Sequence, residues 1–311
     1  MTLKELLNDR YAPLRNLSHR SVVLFESTID RLRDHLGREP ALDDLTDLGM
    51  AKFLRWRATT PHKGKVPSPA SVAKDKAHLA SLGNYAFKKK LIEQCVEWPR
   101  IRVPMKPPRG YTVDELSAIV RQARVTRGHI GPVPAPWFWQ TLLVCAWESG
   151  ERIGSLLRLR WEEVDLEHRM ITLLGQHRKD HITTIHRQIS PQLVEWLKMH
   201  RGQPGDHVWP WLDNRHENSI FPTIRRICRL AGVKPRGFHA IRKASGSYVR
   251  AGGGDASEHL GHANPRTTRD HYLDPRIVRQ QSALDFLPPL DLGPRQLPPK
   301  DEGQEGDKPA A

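Results

Sequence analysis

Cysteine is scarce in this chain and does not occur in pairs. The three cysteines, Cys95, Cys145 and Cys228, are far apart and odd in number, and none belongs to a CxxC motif. This spacing excludes a zinc ribbon and a disulfide framework, and it favours a reducing compartment.

Long apolar runs are absent as well. No stretch of the sequence approaches the roughly 20 apolar residues that cross a bilayer. The N-terminal segment MTLKELLNDRYAPL is too polar for a signal peptide. We therefore expect a cytoplasmic protein without a membrane partner.

Acidic residues are too few to balance the basic ones. The 311 residues include 49 Lys plus Arg and 35 Asp plus Glu, which gives a net charge of +14. Such an excess favours a polyanionic partner, most commonly nucleic acid, although charge for solubility alone remains an alternative. The length is sufficient for two domains.

Strand signals are rare in the first hundred residues, where helical spacing dominates. One predicted helical face is formed by Val22, Phe25, Ile29, Leu32 and Leu36, with Gly37 as the stop. Two further helices are predicted from LTDLGMAKFLRWRA, capped by Thr46 or Asp47, and from SPASVAKDKAHLASLGNYAFKKKLI.

A proline-rich stretch separates this part from the rest of the chain. Residues 98–110 read WPRIRVPMKPPRG, and their four prolines remove backbone donors and stiffen the chain. We expect an extended linker that lies along a phosphate backbone or serves as a solvated spacer. Its basic residues are Arg100, Arg102, Lys106 and Arg109.

The remainder predicts a mixed, mostly helical domain. Thr112 and Glu115 form a capping box, and PWFWQTLLVCAWESG is apolar on nearly all sides, as a central buried helix is. RMITLL and HITTIHRQI predict a small antiparallel hairpin. Further helices are predicted at SPQLVEWLKMH, SIFPTIRRICRLAGV, FHAIRKASGSYVRAGG and NPRTTRDHYL. From Leu287 the composition predicts a disordered tail. The fold class is therefore mainly α, with a small antiparallel sheet.

The residues suited to chemistry point to a phosphate. Arg152 follows a glycine break after the buried helix, and His239 and Arg242 share one helical face. Arginine pairs with phosphate oxygens through forked donors. Tyr272 is the one tyrosine of five that lies among basic residues, namely His259, His262, Arg266, Arg269 and His271. Dense positive charge favours a nucleophilic phenolate, although each residue taken alone also fits a surface or structural role.

A metal site is the other chemical alternative. His259 and His262 are three positions apart, and His177 and His181 are four apart. Because the chain has no cysteine cluster and no HExxH motif, we expect no metal and no cofactor.

The order of these motifs resembles the tyrosine recombinases, or phage integrases. The shared pieces are SGERIGSLLRLRW, a lysine in a hairpin, FHAIRKASGSYV, LGHANPRTT and RDHYLDP. The resemblance implies a helical core-binding, SAM-like DNA-binding domain at 1–97 and the catalytic domain at 111–287. Residues 98–110 would be the linker, and 288–311 the tail.

The resemblance also implies a role for each site residue. Tyr272 would attack the scissile DNA phosphate and form a 3′-phosphotyrosyl bond, without ATP or metal. Arg152 and Arg242 would bind the non-bridging oxygens, and Lys179 would protonate the leaving hydroxyl. His239 would assist proton transfer, and His262 would donate a hydrogen bond to the phosphate. The predicted DNA-binding residues are Arg100, Arg102, Lys106, Arg109 and Arg178.

Three positions depart from the family pattern. Ser155 stands where an acidic residue is usual, three positions after Arg152. Arg178 precedes Lys179 in the hairpin. Tyr272 lies ten positions after His262 instead of nine, and His271 occupies the shorter register; an imidazole cannot form the phosphotyrosine.

The resemblance implies double-stranded DNA with paired recombination sites as the partner. It also implies a homotetramer on DNA and a nucleoid-associated, cytoplasmic location. The alternative is a catalytically silent DNA-binding relative that acts as a regulator or accessory factor. The chain lacks the glycine–aromatic motif that is typical of an RNA-binding protein. A type IB topoisomerase would share the chemistry, but the LGH…TT…HY ending fits it less well.

Overall fold

The structure is a computed structural model that describes residues 1–62, 64–177 and 183–278. Its contacts divide the chain into two compact units, Met1–Lys106 and a second unit that begins at Pro107. Each unit has its own hydrophobic core.

The first unit is helical. Its helices are α1 (Leu3–Glu5), α2 (Ala12–Leu14), α3 (His19–Leu36), α4 (Asp47–Thr59) and α5 (Pro69–Lys88), with a π-helical segment at Leu6–Tyr11 and a 3₁₀ turn at Leu42–Asp44. Ser18, Thr46 and Ser68 cap α3, α4 and α5 through their hydroxyls. Gly37 ends α3 with a φ of 71°, which favours glycine.

A buried ionic network lies inside the apolar core of the first unit. The carboxylate of Asp75 on α5 accepts from Arg31 Nη2 at 2.7 Å and from Arg57 Nε at 2.8 Å. The hydroxyl of Thr28 lies 3.2 Å from Asp75 Oδ1. Asp75 therefore connects α5 to both α3 and α4, and its burial at 2% exposure makes the pairing obligatory.

The second unit contains eight further helices within the described residues. They are α6 (Val113–Ala123), α7 (Ala135–Ser149), α8 (Ile153–Leu156), α9 (Pro191–Lys198), α10 (Ile220–Leu230), α11 (Phe238–Ala251), α12 (Ala256–Leu260) and α13 (Pro265–His271). Thr112 and Glu115 form the predicted capping box of α6, and Ser190 caps α9. Short 3₁₀ turns lie at Trp161–Glu163, Gly175–His177 and Glu217–Ser219.

Two small antiparallel sheets complete the second unit. β1 (His129–Ile130) pairs with β2 (Val133–Pro134), and β3 (Val164–Asp165), β4 (Met170–Leu173) and β5 (Ile185–Gln188) form the other sheet in that order. In the larger sheet Met170 is opposite Gln188, and Leu173 is opposite Ile185. β4 and β5 are the predicted hairpin strands.

Helix α7 forms the centre of the second core. Its side chains, including Trp139, are buried on nearly all sides, and the aromatic residues Trp209 and Trp211 pack against it. Trp209 Nε1 donates to Thr141 Oγ1 at 3.0 Å, so the indole is buried without losing its hydrogen bond. A rigid α7 gives a fixed end at Ser149, from which the next segment starts.

The predicted fold class is confirmed: the chain is mainly helical with small antiparallel strands. The sequence did not indicate the β1–β2 sheet or the helical stretch within residues 3–14, and ERIGSLLRLRW forms only the four-residue helix α8. Both extra strands are two residues long, too short for an alternating pattern to be visible.

The described residues from 95 to 112, which include the predicted linker at 98–110, contain no helix or strand. Its basic side chains, Arg100, Arg102, Lys106 and Arg109, are exposed to solvent.

Among the helices that the structure describes, none is both long and apolar enough to cross a membrane. The predicted tail, like Arg178 and Lys179, lies outside the described residues.

We predict that Asp75→Asn lowers the free energy of unfolding by about 3 kcal/mol, because it leaves the buried guanidinium of Arg57 and the partly buried guanidinium of Arg31 without their carboxylate. Denaturant unfolding of the full chain measures this. The matched control, Asp34→Asn, removes an exposed carboxylate on α3 and should change stability by less than about 0.5 kcal/mol. Equal stability of the two variants would contradict the role given to Asp75.

Candidate active site

The site begins where α7 ends. Gly150 has a φ of 63°, and a Cβ at this position would lie 2.5 Å from His259 Nε2. Glycine is therefore needed both for the left-handed turn and for the close approach of His259. After this turn the chain passes through Glu151 to Arg152, which has extended backbone angles and precedes α8.

Arg242 is a deeply buried cation of the site. It projects from α11 with 1% exposure. Nη1 donates to the carbonyl oxygen of Gly150 and Nη2 to that of Leu260, both at 2.5 Å. These bonds hold the guanidinium between the end of α7 and the end of α12.

Tyr272 lies beside this guanidinium, at the C-terminal end of α13. Its ring centroid is 5.5 Å from Arg242 Cζ, 5.1 Å from the ring centroid of His239 and 4.4 Å from that of His262. Tyr272 is 7% exposed. The structure thus brings together four of the predicted site residues from α11, α13 and the turn between α12 and α13.

The segment that carries Tyr272 is anchored on both sides. The Ser247 hydroxyl lies 3.2 Å from the Tyr272 carbonyl oxygen, and Asp274 N donates to Ser247 Oγ at 2.8 Å. The buried carboxylate of Asp274 accepts from Gly110 N at 2.8 Å and from Arg276. The tyrosine backbone is therefore fixed to α11 and to the start of the second unit.

His262 is engaged at both ring nitrogens. Nε2 lies 3.0 Å from Arg242 Nη2, and Nδ1 lies 2.7 Å from the hydroxyl of Thr268. Because guanidinium only donates, Nε2 must accept and Nδ1 must carry the proton toward Thr268. This assignment makes His262 a neutral group in the DNA-free protein.

Arg152 is half-buried and faces the same cluster. Its positive charge contributes to lowering the pKa values of both His239 and Arg242. Burial is the main cause for Arg242 and lowers its pKa to about 10, with Glu151 opposing the shift. Arg242 is therefore still a cation at neutral pH.

His239 is neutral at physiological pH. The residue retains solvent exposure, but its ring packs edge-on against Tyr272. Partial burial, followed by the charges of Lys243, Arg242 and Arg152, lowers its pKa to about 4. A neutral imidazole beside the phenol can accept a proton from it.

Two acidic residues near Arg152 in the sequence, Glu148 and Glu151, contact other elements of the second unit. Glu148 accepts from the backbone N and the hydroxyl of Ser190, at 2.9 and 2.6 Å, and so stabilises the start of α9. Glu151 is buried, with its carboxylate 3.8 Å from Arg242 Nη1 and 3.8 Å from Arg187 Nη2. The sequence did not single out Glu151 or Arg187 as site residues; the adjacency of Glu151 to Arg152 was the one signal.

The alternative metal ligands have other partners. His259 Nε2 lies 2.6 Å from the hydroxyl of Ser245, and His262 contacts Arg242 and Thr268. His181 lies outside the described residues. Within the described part of the chain, no group of three or more His, Cys, Asp or Glu side chains is arranged to hold a metal ion.

Comparison with known proteins relates this geometry to one family. The model described as the phage integrase family matches residues 112–277. Tyrosine recombinase XerC of Xanthomonas campestris pv. campestris is 25% identical over 177 residues, which are 54% of this chain and 53% of that protein. XerC of Corynebacterium efficiens is 23% identical over 256 residues, 78% of this chain and 80% of that protein. The alignment thus spans about half the length of the Xanthomonas relative.

Solved structures share the fold at low identity. A lambda integrase dimer bound to a COC′ core site has a TM-score of 0.67 and 20% identity, over 91% of this chain and 79% of that chain. XerH site-specific recombinase bound to a palindromic difH substrate, a post-cleavage complex, has a TM-score of 0.65 and 16% identity, over 86% and 79%.

We predict that stability rises with pH between about 4 and 6.5, in part because His239 and His259 have lowered pKa values, each about 4. Both take up protons on unfolding below the ordinary histidine pKa. Each proton contributes up to about 1.4 kcal/mol per pH unit. Chemical unfolding between pH 4.5 and 7, about the range set by these pKa values, measures the slope.

His259→Asn should reduce that slope, because it removes one of the two groups. The control His271→Asn changes an exposed histidine of α13 and should leave the slope as in the wild type. A His259→Asn protein with an unchanged slope would show that His259 does not have the lowered pKa.

Proposed function

The chain belongs to the phage integrase family, and from this we propose that it is a site-specific DNA recombinase. Tyr272 would cut a DNA strand through a covalent 3′-phosphotyrosyl link, and the strand would then be rejoined to a new partner. The observation that carries this proposal is the contact of Tyr272 with Arg242, His239 and His262. The DNA-bound structures of lambda integrase and XerH support it.

The reaction is an exchange of phosphodiester bonds. Tyr272 Oη attacks the phosphorus and transfers its proton to neutral His239, while the bond to the 5′ oxygen breaks. The 5′ oxygen takes a proton from Lys179, the proposed general acid, which lies outside the described residues. A 5′ hydroxyl from a second strand then attacks the phosphotyrosine and gives its proton to the deprotonated Lys179, while the released Tyr272 oxygen takes its proton back from His239. One ester bond replaces another at each step, so no ATP is consumed.

Arg152 and Arg242 supply the electrostatic part of catalysis. Both would bind the non-bridging oxygens, on which negative charge accumulates in the transition state. Arg242 is held by two carbonyl oxygens before DNA arrives, so little reorganisation is needed. Donors fixed in this way are each worth about 3 kcal/mol in comparable sites.

His262 requires a change of protonation for its proposed role. With Nδ1–H directed at Thr268, Nε2 must gain a proton before it can donate to a phosphate oxygen. The negative charge of an arriving phosphate favours that proton. We propose that His262 fixes Arg242 in the free protein and contacts the phosphate in the complex.

The proposed partner is double-stranded DNA with paired recombination sites, bound by a homotetramer near the nucleoid. The tetramer of lambda integrase on a Holliday junction supports this assembly. Residues 1–97 would be the core-binding domain and 111–287 the catalytic domain. Exposed Arg100, Arg102, Lys106 and Arg109 would contact the phosphate backbone together with Arg178. Retention of Tyr272 within the basic cluster argues against a catalytically silent relative.

We predict that Tyr272→Phe abolishes the covalent DNA adduct while DNA binding remains within about twofold, because one hydroxyl adds little to many phosphate contacts. The probe is a library of nicked DNA duplexes of randomised sequence, with detergent-resistant adducts as the readout. Tyr248→Phe is the matched control, since its hydroxyl accepts from Val113 N on the other side of α11. An adduct formed by Tyr272→Phe would refute Tyr272 as the nucleophile.

Arg152→Ala is predicted to slow adduct formation by about 10²-fold, because one donor to the developing charge is lost. Arg158→Ala is the control. This half-buried arginine lies on the same short segment as Arg152, but it pairs with Glu217. Single-turnover rates on DNA captured by the wild type provide the comparison. Similar rates for both variants would remove Arg152 from the proposed phosphate clamp.

A further inference from the structure

Glu151 is a buried carboxylate that faces two arginines. Its side chain has no exposed surface, and the residue as a whole is 2% exposed. Oε2 lies 3.8 Å from Arg242 Nη1, and Oε1 lies 3.8 Å from Arg187 Nη2. Each carboxylate oxygen therefore faces a different guanidinium group, one on α11 and one on β5.

Both arginines also bind the end of α12. Arg187 Nη2 donates to the carbonyl oxygens of Glu258 and His259, at 3.1 and 2.7 Å. Arg242 Nη2 donates to that of Leu260. Glu151 thus lies where β5, α11 and the chain leading to His262 converge, one residue before Arg152.

The charge of Glu151 is required at this position. Without it, Arg152, Arg187 and Arg242 would be three cations in a poorly solvated region, and their mutual repulsion would be strong. Glu148 and Ser155, the two neighbouring polar residues, have other hydrogen-bond partners. Glu148 binds Ser190, and the Ser155 hydroxyl donates to the carbonyl oxygen of His177 at 3.2 Å.

We propose that Glu151 is a positioning residue for strand cleavage. Its carboxylate holds Arg242 in its phosphate-binding orientation, and through Arg187 it holds strand β5 against α12. The proposal rests on the proposed function, since the step it supports is the attack of Tyr272 on DNA. Glu151 acts through the arginines and does not touch the phosphate.

The first experiment compares single-turnover adduct formation for the wild type, Glu151→Gln, Glu151→Asp and the control Glu148→Gln, on DNA captured by the wild type. We expect Glu151→Gln to be slower by about tenfold to a hundredfold, with DNA affinity within about twofold. Glu151→Asp keeps the charge and should recover part of the rate, and Glu148→Gln should match the wild type. Equal rates for Glu151→Gln and the wild type would overturn the proposal.

A double-mutant cycle separates positioning from a general loss of stability. If Glu151 acts through Arg242, then Glu151→Gln should have little further effect in an Arg242→Lys background. Independent, multiplicative effects of the two changes would overturn the proposal. Unfolding midpoints are measured for each variant, and Glu151→Asp, which retains the ion pairs, keeps the test valid if Glu151→Gln does not fold.

A further measurement does not depend on cleavage, so the two proposals can fail separately. Inorganic phosphate is titrated against the wild type, Glu151→Gln and Arg242→Lys, with the unfolding temperature as the readout. We expect phosphate to stabilise the wild type more than either variant. Tighter phosphate binding by Glu151→Gln would show that Glu151 only neutralises charge, which overturns positioning. Absence of any wild-type DNA adduct, with the phosphate result as expected, would refute the recombinase proposal alone.

Discussion

The arrangement of the site in the second unit depends on the contacts of one buried guanidinium group, that of Arg242. A buried positive charge with 1% exposure needs partners, and Nη1 and Nη2 of Arg242 find them in the carbonyl oxygens of Gly150 and Leu260, in His262 and in the carboxylate of Glu151. Its Nε has no hydrogen-bond partner among the described residues. These partners come from two separate parts of the chain, residues 150–151 and 260–262. Satisfying one charge therefore brings together the segments that carry Arg152, His262 and Tyr272.

The close packing around this arginine is made possible by small residues. A Cβ at Gly246 on α11 would lie 2.7 Å from Leu260 Cδ1, and one at Gly150 would lie 2.5 Å from His259 Nε2. Larger residues would separate α11, α12 and the end of α7 by more than the hydrogen bonds of Arg242 allow. The glycines and the arginine are thus parts of one structural requirement: the helices must approach until backbone carbonyls reach the guanidinium.

The electrostatics of the site depend on a balance between cations and neutral groups. Partial burial, together with the charges of Lys243, Arg242 and Arg152, keeps His239 in its neutral form, in which it can take a proton from a phenol. One buried carboxylate, Glu151, offsets part of that charge at Arg242. The net charge of +14 favours the attraction of a polyanion over a distance, whereas the local arrangement is the proposed binding site of a single phosphate.

The sequence by itself determined the longer helices, their caps and the residue types of the site. Thr112 with Glu115, Ser190 and Gly37 act within a few residues of their own helices, and Tyr272 stood out because its neighbours in sequence are basic. Helical spacing likewise placed His239 and Arg242 on one face. Only the tertiary structure decided that Glu151 is buried against Arg187 and Arg242, that His259 binds Ser245, and that His262 is engaged on both sides. These contacts join positions between 6 and 91 residues apart, and nothing in local periodicity or composition records which distant groups must meet to satisfy a buried charge.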